Sequence, residues 1–365
     1  MFAILHLNAA LSALPHFQLR VLTTNSAGPS VNDAVPVPNF PAIFPPGYEV
    51  YITDRIGGVS VAPGLVRMLP RLMRWADVVH LSGTYSFPVW PTQALCALTT
   101  KPLVWTPHGA LQASHEWARA RHKTAKQVWE RVCRLLIRKR STVLHVTSES
   151  ERAASQARLP GLSAEVIPHG VEIPRGVNSR TWRPDGALRI LFLGRLDPKK
   201  GLENLLHAFG LLKDLALNLQ VCGTGEAKYV AFLREQVYAL GLVDRVQFVG
   251  HVDEIGKKEA FLNADVCVVP SYNENFCMVV AESLAHGVPV IASTGVPWSG
   301  LEPQVCGIWT SNSADHIADA IRRIRIMNLP EMGMRGRAWM QRDFSWAAAA
   351  MRMHALYRRL TGLNS

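Results

Sequence analysis

Short runs of apolar, β-branched residues punctuate the chain, and each is followed by a polar turn and a longer stretch with helical periodicity. From Gln18 onward the runs are Leu19–Thr23, Tyr48–Ile52, Val78–Leu81, Leu103–Thr106, Val143–Val146 and Glu165–Ile167. Between them, helical spacing of apolar positions predicts helices around Leu65–Trp75, Pro91–Leu98 and Ser114–Arg138. Runs that are apolar on both faces belong to strands of a parallel sheet covered on both sides. A Pro/Gly-rich stretch, Ala27–Tyr48, interrupts the series and reads as a long surface loop.

The periodicity then stops. Residues Ile173 to Gly186 carry several breakers and no repeat, so they read as a linker. A second series follows, with strands at Arg189–Leu193, Asn218–Cys222, Val246–Val249, Val266–Val269, Val290–Ala292 and Ile308–Thr310, and a helical tail from Ala314 to Leu360. Two doubly wound α/β domains are expected: a first over 1–172, a linker over 173–187, a second over 188–344, and a helix at 345–365 that packs back on the first. Ligands of such folds bind at the carboxyl edges of the sheets, which here would face each other across a cleft.

Composition narrows the class. A chain of 365 residues with 48% hydrophobic and 18% charged residues is globular and long enough for two cores. Its net charge of +11 asks for an acidic partner: nucleotide phosphates, an anionic membrane face or nucleic acid. Because the basic residues do not interleave with an aromatic stripe, nucleic acid is the weakest of these. Six scattered cysteines without a Cys-x-x-Cys pair indicate a reducing, cytoplasmic setting and no zinc site. The apolar segment Met1–Leu14 lacks a basic start and is interrupted by His6 and Asn8, so it reads as an amphipathic helix rather than a signal peptide.

The residues able to do chemistry gather after strands. Gly194-Arg-Leu-Asp-Pro-Lys-Lys-Gly201 places Arg195 and Lys200 at the mouth of one strand, as a diphosphate site requires; a solvated basic turn has the same composition. After Pro270, the loop Ser271-Tyr-Asn-Glu-Asn-Phe-Cys277 leads into a helix expected over Phe276–His286, whose amino end suits a phosphate. Glu274 and Glu282, two helical turns apart, suit hydroxyls at two places along one extended ligand, and equally suit a solvated loop and a surface helix. Cys222-Gly-Thr-Gly-Glu226 and Gly250-His251 end two further strands, where Gly223 and the His251 backbone would stand near a nucleobase. In the first half, Thr106-Pro-His108-Gly places a histidine at the opposite wall, ahead of His80 and His169 as a candidate. No Asp-x-Asp occurs, so the simplest metal-held diphosphate motif is missing and no metal site is expected. The helix Trp117–Arg140 sets Val128, Val132, Leu135 and Leu136 against Lys123, Lys126, Arg131, Arg134 and Arg138, a face open to sheet packing or to anionic lipid.

Taken together, Gly194-Arg195, Lys200-Gly201, Glu274-x7-Glu282 and Gly287-Val-Pro-Val-Ile resemble the family 4 retaining glycosyltransferases of the GT-B fold. Asn273-Glu-Asn-Phe and Gly295-Val-Pro-Trp298 look most like bacterial members that build surface polysaccharide and lipopolysaccharide. The resemblance implies that Arg195 and Lys200 neutralise the donor diphosphate, that Glu282 binds ribose, and that Glu274 with the amides of Asn275, Phe276 and Cys277 holds the donor sugar. Met278 and Val279 complete the helix start on the donor, and His108 faces the sugar from the other domain. Glu274, His108, Lys200 and Arg195 are thus the candidates for the transfer itself. The chain departs from the pattern in having Cys277 where the family usually has glycine. It also begins within the helix that normally follows the family's first strand and Gly-Gly loop, so a first domain without that strand is expected.

The expected function is retaining, metal-independent transfer of a hexosyl-type sugar from a nucleotide diphosphate, a substrate rather than a cofactor, to a glycan or lipid-linked acceptor. The setting is cell-surface polysaccharide biosynthesis in the cytoplasm, with peripheral contact on the inner face of the membrane. Two other readings stand beside it: a glycan or sugar-phosphate synthase of the same chemistry, and a sugar-nucleotide-binding homologue without turnover.

Overall fold

The structure, a computed structural model, describes residues 2–26, 44, 47–56, 61–111, 123–175, 181–183 and 186–362. It divides into two Rossmann-like units. One takes the chain up to Gly170 and again from Trp346; the other runs from Val171 to Ser345.

In the first unit, β1 (Arg20–Thr24) and β2 (Glu49–Thr53) pair in parallel as a two-stranded sheet. Strands β3 (Val79–Ser82), β4 (Leu103–Thr106), β5 (Thr142–Val146) and β6 (Ser163–Val166) form a four-stranded parallel sheet in that order. Every residue of β4 and β5 is buried, as apolar runs covered on both faces require. Helix α2 (Pro63–Trp75) starts on a proline and buries Leu65, Leu69 and Met73, one face at four-residue spacing. Helices α3 (Val89–Thr99), α4 (Lys123–Leu136) and α5 (Glu149–Arg158) complete this part. The first nine residues of the helix expected over Ser114–Arg138, and most of the loop expected over Ala27–Tyr48, lie outside the described residues.

The opposite face of the four-stranded sheet is covered by the two ends of the chain. Helix α1 (Phe2–Ser12) contributes Leu7 and Leu11, and the last helix, Trp346–Thr361, contributes Ala350, Met353, Leu356 and Tyr357, packed with Val104, Val143 and Ile167. A hydrogen-bonded string ties this layer to the sheet, and its direction is fixed from one end. The Ile167 carbonyl can only accept, so His145 Nε2 donates to it (2.9 Å) and His145 Nδ1 accepts from Thr106 Oγ1 (2.8 Å). Thr106 Oγ1 then accepts from His80 Nε2 (2.6 Å), and His80 Nδ1 accepts from Tyr357 Oη (2.5 Å). His80, a candidate ligand group in the sequence, is therefore spent inside the fold.

The second unit is a six-stranded parallel sheet ordered β12-β11-β10-β7-β8-β9, with β7 Leu188–Leu193, β8 Leu217–Cys222, β9 Val246–Gly250, β10 Val266–Val269, β11 Val290–Ser293 and β12 Gly307–Thr310. Successive strands run outward from β7 on one side and from β10 on the other. The order therefore reverses between β7 and β10, and a crevice opens at their carboxyl ends. Helices α6 (Leu202–Gly210), α7 (Ala227–Ala239), α8 (Glu254–Asn263), α9 (Met278–Ala285), α10 (Ala314–Arg325) and α11 (Leu329–Asp343) cover the sheet.

Three sequence expectations change. The helix expected over Phe276–His286 spans only Met278–Ala285, because Cys277 turns left-handed just before it. In the helical tail from Ala314, the part ahead of the separate helix expected at 345–365 is two helices, broken where the Asn328 side chain caps α11, and α12 (Trp346–Thr361) follows as that separate helix. Where the segment expected as a linker is described, it lies on the second unit: the Arg183 amide donates to Asp265, and Arg337 donates to the Pro174 carbonyl. All six cysteines are free and buried. Among the described residues no helix is long and apolar enough to cross a membrane.

Candidate functional site

The turn after β7 is built by one carboxylate and one glycine. Asp197 accepts from the Lys199 amide (3.0 Å) and starts a single 3₁₀ turn, Pro198–Lys200. Gly201 ends it at φ +64°, in the left-handed region, and a Cβ there would lie 2.1 Å from the Pro270 carbonyl oxygen. The turn after β7 is thus pressed onto the end of β10. The Tyr272 amide donates to Lys199 O (2.9 Å), and Lys200 Nζ reaches Glu274 Oε1 at 2.5 Å. Both side chains are largely covered, 22% and 13% exposed, so the pair is screened less than a surface pair. Arg195 differs: it is 72% exposed and meets only Asp197, at 3.8 Å, among the described residues. One cation is anchored and the other is open to a ligand.

The loop ahead of α9 is held from behind. The Glu274 amide donates to Gly295 O (2.9 Å), Trp298 Nε1 donates to the Phe276 carbonyl, and the Phe276 ring packs against Trp298 at 5.2 Å between centroids. Cys277 sits at φ +65° with no side-chain cap on the helix, so the first amides of α9, at Met278 and Val279, have no carbonyl four residues earlier within it. Burial and the Glu274 charge push the Cys277 thiol up to about 12, which keeps it protonated beside the helix start. Farther along α9, Glu282 pairs with Lys257 Nζ of α8 at 2.9 Å. Burial raises its pKa, and Lys257 opposes that rise.

A cavity of about 720 Å³ opens at the same edge, walled by Leu193–Pro198, Cys222–Glu226, Tyr229, His251 and Val252. The three loops are laced together: Leu196 N donates to Thr224 O (2.8 Å) and Gly223 N to Gly250 O (2.7 Å). Gly223 permits this closeness, since a Cβ there would lie 1.8 Å from Gly194 O. Of the expected donor residues, Arg195, Gly223 and His251 line the cavity, whereas Lys200, Glu274, Asn275, Phe276, Cys277, Met278, Val279 and Glu282 do not. Val252 connects the two groups, being in the cavity wall and packed, like Met278 and Val279, against the cluster that includes Phe276.

His108 belongs to the first unit, after β4. Its backbone is left-handed (φ +50°), its Nε2 is 3.1 Å from Ser82 Oγ, and its ring stacks on His169 at 6.1 Å. Loss of hydration lowers its pKa to about 4, so the imidazole is neutral at pH 7. The loop is pinned by Glu151 of α5, whose carboxylate accepts from the Gly109 amide (2.5 Å) and from the Thr147 amide and hydroxyl (both 2.7 Å).

The model for Glycosyl transferases group 1 matches residues 179–334, and that for Glycosyltransferase Family 4 matches residues 3–175. The chain belongs to the family 4 glycosyltransferases of the GT-B fold. It is 30% identical over 291 residues, 71% of its length, to a D-inositol 3-phosphate glycosyltransferase of Corynebacterium efficiens. It is also 40% identical over 135 residues, 34% of its length, to a phosphatidyl-myo-inositol mannosyltransferase of Mycobacterium leprae. The chain spans 66% and 35% of the length of these two relatives. In fold it is similar to Anabaena HepE, solved in complex with UDP, with TM-score 0.71, 18% identity, and 93% of this chain and 99% of that one covered. A glycosyltransferase of Rickettsia africae gives TM-score 0.70 at 14% identity, over 95% and 100%.

For this family 4 glycosyltransferase the sequence pointed at the loops but missed their supports. Glu151, Asp197 and Trp298 each hold a candidate loop in place, and Lys257 pairs with Glu282 on α9. Only Asp197, as a helix-start carboxylate, and the Glu254–Lys257 spacing leave a local signal in the sequence. The partners of Trp298 and Glu151, and Lys257's contact with Glu282, come from distant residues and are visible only in the fold.

Proposed function

We propose that this chain transfers a hexosyl-type sugar from a nucleotide-diphosphate donor to a glycan or lipid-linked acceptor, with retention of configuration and without a metal. The observation that carries the reading is the Lys200–Glu274 bridge, which brings the cationic turn after β7 and the loop ahead of α9 to one place at the switch point of the sheet. Arg195 is free to turn onto a diphosphate, and the start of α9 adds the positive end of a helix. Fixed cations and amides of this kind stabilise a departing diphosphate electrostatically. The cavity beside Gly223 and His251 takes the nucleoside in this reading, and Glu274 the sugar hydroxyls.

The lipid-linked acceptor draws support from the relative named as a phosphatidyl-myo-inositol mannosyltransferase. The reading extends to surface-polysaccharide assembly in the cytoplasm, with the chain resting on the inner face of the membrane through the basic face of α4.

The test starts with melting curves in UDP-, GDP- and ADP-sugars. At least one should raise the melting temperature, and the same donor should then be transferred or slowly hydrolysed. Lys200→Met and Glu274→Gln should each cut that rate by about a hundredfold or more while leaving the melting temperature within a few degrees. No shift with any donor would sink the reading. A donor that binds and is never turned over would favour a binding protein instead.

A further inference from the structure

Lys257 belongs to none of the motifs that mark the donor site, yet it is the group that sets the carboxylate of Glu282. Its Nζ lies 2.9 Å from Glu282 Oε1 and 3.0 Å from Glu254 Oε2. Lys257 and Glu282 are 20% and 15% exposed, whereas Glu254 is 75% exposed, so the contact with Glu282 is the covered one. The ammonium engages one oxygen of Glu282, and Oε2 has no hydrogen-bond partner among the described residues. A carboxylate gripped at one oxygen has a fixed plane, and its second oxygen is directed. Lys257 is carried on α8, whose start, Asp253, follows directly on the cavity-wall residues His251 and Val252. Glu282 and the nucleoside cavity therefore share a structural support.

We propose that Lys257 is a positioning residue: it holds the Glu282 carboxylate in one orientation, so that Oε2 accepts a ribose hydroxyl and the site distinguishes ribonucleotides from 2′-deoxyribonucleotides. The inference rests on the donor-site reading above, with Glu282 at the ribose as the family resemblance implies. Electrostatics point the same way. Burial alone drives Glu282 toward its neutral form, and a neutral carboxyl loses an acceptor; Lys257 counters this. Burial pulls the Lys257 ammonium toward its neutral form in turn, but Glu282 and Glu254 outweigh that pull and leave its pKa raised. Besides these two, the buried thiol of Cys267 on β10 feels the Glu282 charge; burial holds it protonated, so it adds no competing charge. A lysine that served only packing would support both kinds of nucleotide alike.

Isothermal titration of the full chain with UDP, GDP, ADP and their 2′-deoxy counterparts separates these cases. The wild-type chain should bind at least one ribonucleotide about tenfold or more tightly than its deoxy form, the worth of one hydrogen bond to a charged group. Lys257→Met should weaken the ribonucleotide until the two nearly coincide and leave the deoxy form within about twofold, while Lys257→Arg keeps most of the preference. A Lys257→Met chain with an unchanged ribo-to-deoxy ratio, whether both affinities hold or both fall, overturns the inference alone. A wild-type chain that binds none of the six overturns the donor-site reading, and this inference with it.

Discussion

At Cys277 the backbone turns to φ +65° in a place where the side chain is only 8% exposed. A non-glycine residue in that region costs about 1–2 kcal/mol, and a cysteine is small enough to bear it inside the cluster of Phe276, Val280 and Trp298. Cys277→Gly relieves the strain but loses the buried thiol and loosens the unfolded chain, so its stability should stay within about 1 kcal/mol of wild type. Cys277→Val should lose about 2 kcal/mol or more, because a branched Cβ suits φ > 0 least. Chemical denaturation of the two variants checks this, and a valine as well tolerated as the glycine would refute it. The departure from glycine was legible in the sequence; that the thiol is packed rather than aimed at a ligand needed the φ angle and the burial.

Among elements, the string from Tyr357 through His80, Thr106 and His145 to Ile167 joins α12 to β3, β4 and the segment after β6. It works with neutral rings. Removal from water lowers His145 to about 4 and takes His80 well below its usual value, and the neighbouring His108 and His169 fall to about 4 and about 3. Unfolded histidine titrates near 6.5, so above that pH neither state carries the proton and the contribution to stability is whole. As the pH falls from about 6.5 towards 4, the unfolded chain takes up protons that the folded chain refuses, and stability drains by up to about 1.4 kcal/mol per pH unit for each such ring. Denaturation between pH 7 and 5 should show this loss, with a shallower slope in His145→Gln, whose amide replaces both hydrogen bonds without titrating. Parallel slopes in the two proteins would count against the string. The apolar runs predicted β4, β5 and α2, since continuous burial and four-residue spacing are written locally. His80 looked like a candidate ligand because its partners lie 26 and 277 residues away.

On the scale of the whole molecule the net charge is +11, and part of it is set on a defined surface. Val128 and Leu135 of α4 are 49% and 85% exposed, and Arg131 shares their face and is itself exposed, with Arg138 just beyond the helix end. An exposed face that is both apolar and basic suits anionic headgroups. The chain should therefore co-sediment with vesicles containing phosphatidylserine or phosphatidylglycerol and not with neutral ones. Binding should weaken in about 0.5 M salt as screening shortens, and in the Arg131→Glu/Leu135→Glu double variant; equal binding to neutral vesicles would end the idea. What the sequence alone determined is the two-fold repetition of strand and helix, the loops that carry Arg195, Lys200, Glu274 and Glu282, and the family to which they point. Each of these is fixed by local periodicity, turn chemistry and spacing. Only the tertiary structure decided that Lys200 rests on Glu274, that Lys257 pairs with Glu282 and that Trp298 holds the Phe276 carbonyl. The reason is physical: which charge meets which, and which carbonyl finds a donor, depends on strand order at the β7/β10 reversal, and that order is set by packing between residues far apart in the chain.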